Sequence, residues 1–259
     1  MESISRFSEE HLTSTQTETL RWSDQQFQHI VFDSNPRVAV FDCDGTLWSG
    51  DSGHGFMIWS IEQGLISRAT CDWIDNRHRA YQAGKVSELA ICGEMVQIYA
   101  GLREEELRLA AIRYMQEFAP SRYFAEMVEV VDRMRGNGVE VWAVSSTNKW
   151  VVTEGVRSLG IAAERVLAAE VRVKDGLLTE EIVDVPTDEG KAASLRRVGL
   201  SRPDAVFGNS IHDLAMLEIA QHPFAVNPSP ALLKAAAERG WGYFLPRLAE
   251  GAKTAVGGE

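Results

Sequence analysis

Val38-Ala39-Val40-Phe41-Asp42-Cys43-Asp44-Gly45-Thr46-Leu47 is the stretch on which the reading of this chain turns. Four apolar residues in a row leave no polar face for water, which predicts a strand buried on both sides. Asp42 and Asp44 follow at its C-terminal end, where open α/β sheets bind ligands. Side chains two apart on an extended chain share a face, so both carboxylates reach one small site. Such a pair repels unless a cation lies between the two or one keeps a proton. That suits one carboxylate as nucleophile and metal ligand, and the other as acid and base. A calcium loop of the EF-hand kind fits poorly. Gly45 comes two residues early, and Gly53 stands where the bidentate glutamate belongs.

Beyond this strand, residues 48–120 lack a long strand pattern and read as helices around Phe56–Leu65, Cys71–Ala83, Ser87–Tyr99 and Glu104–Phe118, broken near Gly64, Gly84 and Gly101. After Pro120 helix and strand alternate. Phe124, Met127, Val128, Val131 and Met134 recur at helical spacing. Val139–Val144 predicts a strand ending at Ser145-Ser146. Val171–Val173 and Leu177–Val183 flank Asp175-Gly176 as a hairpin. Asp188–Val198 and Leu214–Ala220 read as helices, and Ala205–Phe207, Phe224–Val226 and Tyr243–Leu245 as strands. This predicts an α/β fold, a Rossmann-like parallel sheet wrapped by helices with an inserted α-helical cap. The expected division is a flexible segment at 1–20, a core at 21–47 and 121–259, and a helical cap at 48–120.

Composition narrows the partners. The 26 basic against 37 acidic residues give a net charge of −11, which argues against a general nucleic-acid surface. No apolar run approaches the roughly 20 residues that span a membrane. The start, Met1 to Thr19, is polar and shows no secretory signal. Cys43, Cys71 and Cys92 have no metal-ligand spacing, and their odd number predicts reduced thiols and a cytoplasmic setting.

The other candidate groups also sit where strands end or helices begin. Ser145, with Ser146, closes a strand, and Thr147-Asn148 can cap the next helix beside a phosphate cradle. Lys191 falls in the first turn of a helix, an unfavourable end for a cation, and alone reads as a solvated lysine. In Gly208-Asn209-Ser210-Ile211-His212-Asp213, Asn209 and Asp213 offer oxygens to a hard cation. Asp213 alone reads equally well as a helix-start residue. Trp48, Trp59 and Trp73 read as helix packing, Cys43 as a buried filler and His212 as a helix-start residue. Arg77-His78-Arg79 reads as a solvated helix face, and His54 as a residue near the cap entrance.

In this order the motifs resemble the haloacid dehalogenase (HAD) superfamily, whose phosphatases carry Asp-x-Asp-x-Thr, a strand-terminal Ser or Thr, a Lys and a terminal acidic motif. Here these are Asp42-Cys43-Asp44-Gly45-Thr46, Ser145, Lys191 and the stretch 208–213. The resemblance covers roughly residues 37–246, is strongest to the phosphoserine-phosphatase-like branch, and makes the helical insertion a C1 cap. It implies that Asp42 attacks phosphorus, while Asp44 protonates the leaving oxygen and then activates water. It implies Mg2+ held by Asp42, the Asp44 carbonyl and Asn209, with Asp213 in support, and phosphoryl oxygens bound by Ser145 and Lys191. The halide-cleaving branch lacks the second aspartate, so dehalogenation is not expected.

Two positions depart from the pattern. Asn209 stands where many relatives have aspartate, which implies weaker metal binding. The resemblance places Asp51 near the phosphoserine enzyme's amine-binding carboxylate, where it could meet an amine or quaternary ammonium but reads equally well as a solvated loop aspartate, and Met95 near that enzyme's carboxylate-binding arginine. Methionine cannot pair a carboxylate, which argues against phosphoserine. The expected function is Mg2+-dependent hydrolysis of a small phosphate monoester. The alternatives are a phosphotransferase or mutase on the same scaffold, and a non-catalytic phosphate-binding regulator.

Overall fold

The structure, a computed structural model, describes residues 20–247. The flexible N-terminal segment expected at 1–20 lies outside the described residues except for Leu20, whose carbonyl accepts the Tyr243 N–H at 2.9 Å. Strand β1 (Arg21–Trp22) leads into α1 (Asp24–Asp33), which the sequence reading did not single out. Ser23 and Gln26 form a reciprocal capping box at its start, and Phe27 and Val31, four apart, bury its inner face.

Strand β2 (Val38–Phe41) follows, with Ala39, Val40 and Phe41 wholly buried as their apolar run predicts. Four helices come next: α2 (Ser52–Glu62), α3 (Arg68–Gln82), α4 (Glu88–Gln97) and α5 (Glu104–Phe118). They lie close to the expected helices. Asp51, Ser67 and Ser87 supply side-chain caps to the first three, and Glu104, Glu105 and Glu106 suit the positive end of the fourth.

The alternating part runs through α6 (Ala125–Gly136), β3 (Glu140–Asn148), α7 (Lys149–Arg157), β4 (Val166–Lys174), β5 (Leu177–Asp184), α8 (Glu189–Arg197), β6 (Ala205–Gly208), α9 (Leu214–Glu218), β7 (His222–Val226), α10 (Pro230–Glu238) and β8 (Tyr243–Phe244). The sheet order is β1-β8-β7-β6-β2-β3-β4-β5. Every pairing is parallel except β4 with β5. The α/β expectation holds.

Register explains the centre of the core. Phe41 pairs with Phe207, and Phe207 with Phe224, so the three rings stack with centroids 4.3 and 4.7 Å apart. Truncating one such buried ring to alanine typically costs about 3–5 kcal/mol. This stack fixes β2 between β6 and β7 on one side and β3 on the other. The ends of these strands form one rim.

Two element ends differ from the sequence reading. Strand β3 runs on to Asn148 instead of stopping at Ser145, with a register irregularity against β4 between Val144 and Asn148. The hairpin is longer than read, because β4 pairs with β3 at Val166 before it pairs with β5. Its Asp175-Gly176 turn has φ of 53° and 76°, the left-handed pair of a two-residue hairpin. The free edge of β5 meets the α4–α5 connection: Gly101 N–H donates to the Leu178 carbonyl at 2.8 Å and Leu178 N–H to Leu102 at 2.9 Å. Leu178, Val171 and Val185 share an apolar cluster with Phe56, Ile91 and Tyr99 of the inserted segment.

Candidate active site

The turn after β2 folds back on itself, with Leu47 N–H donating to the Cys43 carbonyl at 2.8 Å and Gly45 N–H to Trp48 at 2.7 Å. Gly45 takes φ +80°, a left-handed conformation that disfavours side chains, and a Cβ there would collide with the Asn209 amide. The glycine therefore lets the β6 loop lie directly over the aspartate loop.

Asp42 is buried, and its carboxylate is held from two sides. Thr46 Oγ1 donates to Oδ2 at 2.9 Å and Lys191 Nζ to Oδ1 at 2.6 Å. The same Nζ donates to Asp213 Oδ1 at 2.5 Å and lies 3.4 Å from the Val144 carbonyl oxygen. Lys191 is thus no solvated lysine; its side chain is 3% exposed. Burial alone would lower its pKa, but the two carboxylates outweigh that and raise it. Burial and then Asp213 raise the Asp42 pKa, against the pull of Lys191. Asp213 Oδ2 accepts the N–H groups of Asn209 and Ser210, each at 2.8 Å. Asp213 is thereby both a helix-start residue and the anchor of Lys191 and the Asn209 loop, with both oxygens engaged.

Asp44 is anchored on a different set. Oδ1 accepts Trp48 Nε1 at 2.6 Å and Ser52 N–H at 2.8 Å, while Oδ2 accepts Thr147 Oγ1 at 2.8 Å. Burial, followed by the charge of Asp51, pushes its pKa up to about 6, although these hydrogen bonds favour the ionised form. Neither Trp48 nor Thr147 was assigned to the site by sequence. Trp48 was read as packing, which it also does, and Thr147 as a cap, whereas Asn148 caps α7 through Trp150 N–H.

A cavity of about 440 Å³ opens above these groups. Asp42, Asp44, Asp51, Ser145, Ser146, Lys191 and Asn209 all line it, so sequence positions far apart converge on one space. Thr46 and Asp213 stand just behind the lining, holding Asp42 and Lys191. Asp51 also caps α2 through His54 N–H.

The inserted segment contributes lining residues that the sequence does not assign to the site, among them Tyr81, Glu88 and Ile91, together with His78, which the sequence reads as part of a solvated helix face. Met95 does line the cavity. His54 is not among the lining residues; its ring stacks on His78 at 4.0 Å. The basic cluster divides, since Arg77 and Arg79 pair with Glu94 and Asp75 while His78 faces the cavity. Helical spacing alone held the signal for His78 and Glu88, but not the direction of the space they face.

Magnesium fits the donor chemistry here. The Asp42 carboxylate, the Asp44 main-chain carbonyl and the Asn209 amide offer hard oxygen donors, and all three residues line the one cavity. Among the described residues no group of three His, Cys, Asp or Glu side chains is arranged to hold a metal ion.

Comparison with known proteins agrees with this architecture. The family model for haloacid dehalogenase-like hydrolases matches residues 39–218. Over 215 residues the chain is 27% identical to a histidinol-phosphatase of Neisseria meningitidis serogroup C (strain 8013), covering 79% of this chain and 96% of that protein. A Bordetella pertussis Tohama I protein of unknown function superposes with a TM-score of 0.72 at 24% identity, covering 81% of this chain and 98% of that one. A phosphoserine phosphatase solved as a phospho-aspartyl intermediate analogue superposes with a TM-score of 0.55 at 18% identity, covering 83% and 95%. These two structural likenesses speak to the fold. With its family model spanning the strand of Asp42, the Lys191 helix and the Asn209 loop, the chain belongs to the haloacid dehalogenase-like hydrolase family.

Proposed function

We propose that this protein is a Mg2+-dependent phosphatase that hydrolyses a small phosphate monoester through an aspartyl-phosphate on Asp42. The observation that carries this reading is the placement of two differently anchored carboxylates in one cavity. Asp42 is gripped by Lys191 and Thr46, and Asp44, with its raised pKa, hangs from Trp48, Ser52 and Thr147.

In the first half-reaction an Asp42 oxygen bonds to phosphorus as the ester P–O bond breaks, and Asp44 gives its proton to the leaving oxygen. In the second, Asp44 takes a proton from water as that water attacks phosphorus and the acyl-phosphate P–O bond breaks, restoring Asp42. The ammonium of Lys191 offsets the charge of the nucleophile and the phosphoryl oxygens. Ser145, Ser146 and main-chain N–H groups at the β3 rim bind those oxygens. Mg2+, held by Asp42, the Asp44 carbonyl and Asn209, would supply further neutralisation of the phosphoryl charge. Asp213 supports it by fixing Lys191 and the Asn209 loop.

In this proposal helices α2 to α5, residues 48–120, form a cap that supplies the leaving-group side of the cavity. The similarity to a histidinol-phosphatase supports phosphate-ester chemistry, and the fold shared with a phospho-aspartyl analogue supports the covalent route. No helix among the described residues is long and apolar enough to cross a membrane. The substrate is read as a small metabolite and the setting as cytoplasmic, in keeping with three free cysteines.

The test is phosphate release from a panel of phosphorylated metabolites with Mg2+, after EDTA, and after Mg2+ is restored. Acid quenching during turnover should trap phosphate on Asp42. Absence of release from every ester by folded, Mg2+-loaded protein would overturn the reading, and conserved ester in the products would mark a mutase.

A further inference from the structure

We infer that the cavity takes a phosphate ester whose leaving group carries a protonated amine, and that Glu88 is the residue that recognises it. The inference rests on the phosphatase reading and adds the class of substrate.

Glu88 opens α4 and reaches the cavity from the side opposite the phosphoryl-binding groups in sequence origin, the inserted helices rather than the sheet rim. Its side chain is 14% exposed, and its Oε2 is buried without a hydrogen-bond partner among the described residues. Oε1 has only the Cys92 thiol, a weak donor, at 3.5 Å. His212 Nε2 stands 3.8 Å from Oε2, beyond hydrogen-bond reach, and its other ring nitrogen is engaged with Asp188 at 2.7 Å. The Tyr81 hydroxyl is near enough to interact with the same carboxylate, which, after burial, raises the phenol's pKa, yet it leaves Oε2 without a hydrogen-bond partner. A carboxylate oxygen removed from water without a donor is unfavourable, and a ligand that brings a donor relieves that penalty.

The charge of the cavity selects the donor. Four carboxylates line it, Asp42, Asp44, Asp51 and Glu88, against a single ammonium, Lys191, which Asp42 and Asp213 already occupy. Among the described residues no arginine lines it. A leaving group bearing a carboxylate would face Asp51 and Glu88, with only the His78 and His212 rings, cationic solely when protonated, to meet it. An ammonium gains from both, while Ile91, Met95 and Val96 accept the methylenes between it and the phosphate.

The experiment separates binding from turnover. Calorimetric titration of the Mg2+-loaded protein compares ω-aminoalkyl phosphonates of two to four carbons with the matching alkyl and carboxyalkyl phosphonates, whose C–P bond cannot be hydrolysed. The aminoalkyl series should bind at least about tenfold tighter than the alkyl series at one chain length, with the carboxyalkyl series weakest. Glu88→Gln, nearly isosteric, should reduce that ratio to within about twofold. Equal affinities, no binding by any phosphonate, or an amine advantage that survives Glu88→Gln would each overturn the inference. Phosphate release from phenyl phosphate, measured in parallel, tests the phosphatase reading alone.

Discussion

Replacing Lys191 with methionine keeps an unbranched side chain of similar length and deletes the cation between two buried carboxylates. The Asp42 and Asp213 side chains are 7% and 0% exposed, so solvent screens little of the loss. Removing one partner from a buried ion pair costs about 3–5 kcal/mol. The two survivors are not equal. Asp213 keeps two main-chain N–H donors, whereas Asp42 keeps only the Thr46 hydroxyl, so Asp42 is the one that takes up a proton. Burial and Asp213 already raise its pKa, and loss of Lys191 raises it further.

An acid whose folded pKa lies above its unfolded value leaves the native state holding an extra proton between the two, so stability falls as pH rises through that window. The Lys191 contribution itself, with a raised pKa, stays complete below the unfolded lysine value and is flat over this range. Urea unfolding in EDTA should therefore show Lys191→Met losing less near pH 5 and about 3–5 kcal/mol near pH 8. Its kcat/KM for a phosphate ester should fall at least about 10²-fold. A loss below about 1 kcal/mol that is the same at both pH values would refute the account of Lys191 as the offset to buried charge.

Asp44→Asn should reduce turnover by roughly 10²–10⁴-fold for alkyl esters, and less for nitrophenyl phosphate, whose leaving group needs no proton. Steady-state rates on the two esters check it. Thr147→Val removes a donor to the Asp44 carboxylate, so the Asp44 pKa rises above its value of about 6 and the corresponding limb of the pH–rate profile moves to higher pH, with Thr147→Ser restoring it. Asn209→Asp adds a negative charge to the donor set and should lower the Mg2+ concentration giving half-maximal activity, read by titration, whatever happens to the maximal rate.

The strand at Val38–Phe41, the aspartates beyond it and the breaks at Gly64, Gly84 and Gly101 were legible because each is a local signal. An apolar run, a polar stop and a glycine act over a few residues, and tertiary packing did not override them. The α1 helix was missed although Phe27 and Val31 show its period, since one short amphipathic turn beside a polar segment carries little weight. Strand β3 was read as too short because Ser145-Ser146-Thr147-Asn148 is polar. These residues continue the strand with their polar side chains meeting Asp44, the cavity and the α7 cap rather than solvent.

The chemistry of the candidate site was written in the residue types: two aspartates, a serine, a lysine and a loop of oxygen donors. Tertiary structure alone decided what each faces. Lys191 reaches Asp42 across 149 positions and Thr147 reaches Asp44 across 103, contacts that no local period encodes. Glu88 and Lys191 each occupy a first helical turn, yet one presents an unpartnered oxygen to the cavity while the other is enclosed by carboxylates. Periodicity tells which side of a helix is apolar, but where that helix docks sets what its polar groups meet. Here docking depends on the Phe41–Phe207–Phe224 stack and on the loop at 101–104 that closes the β5 edge.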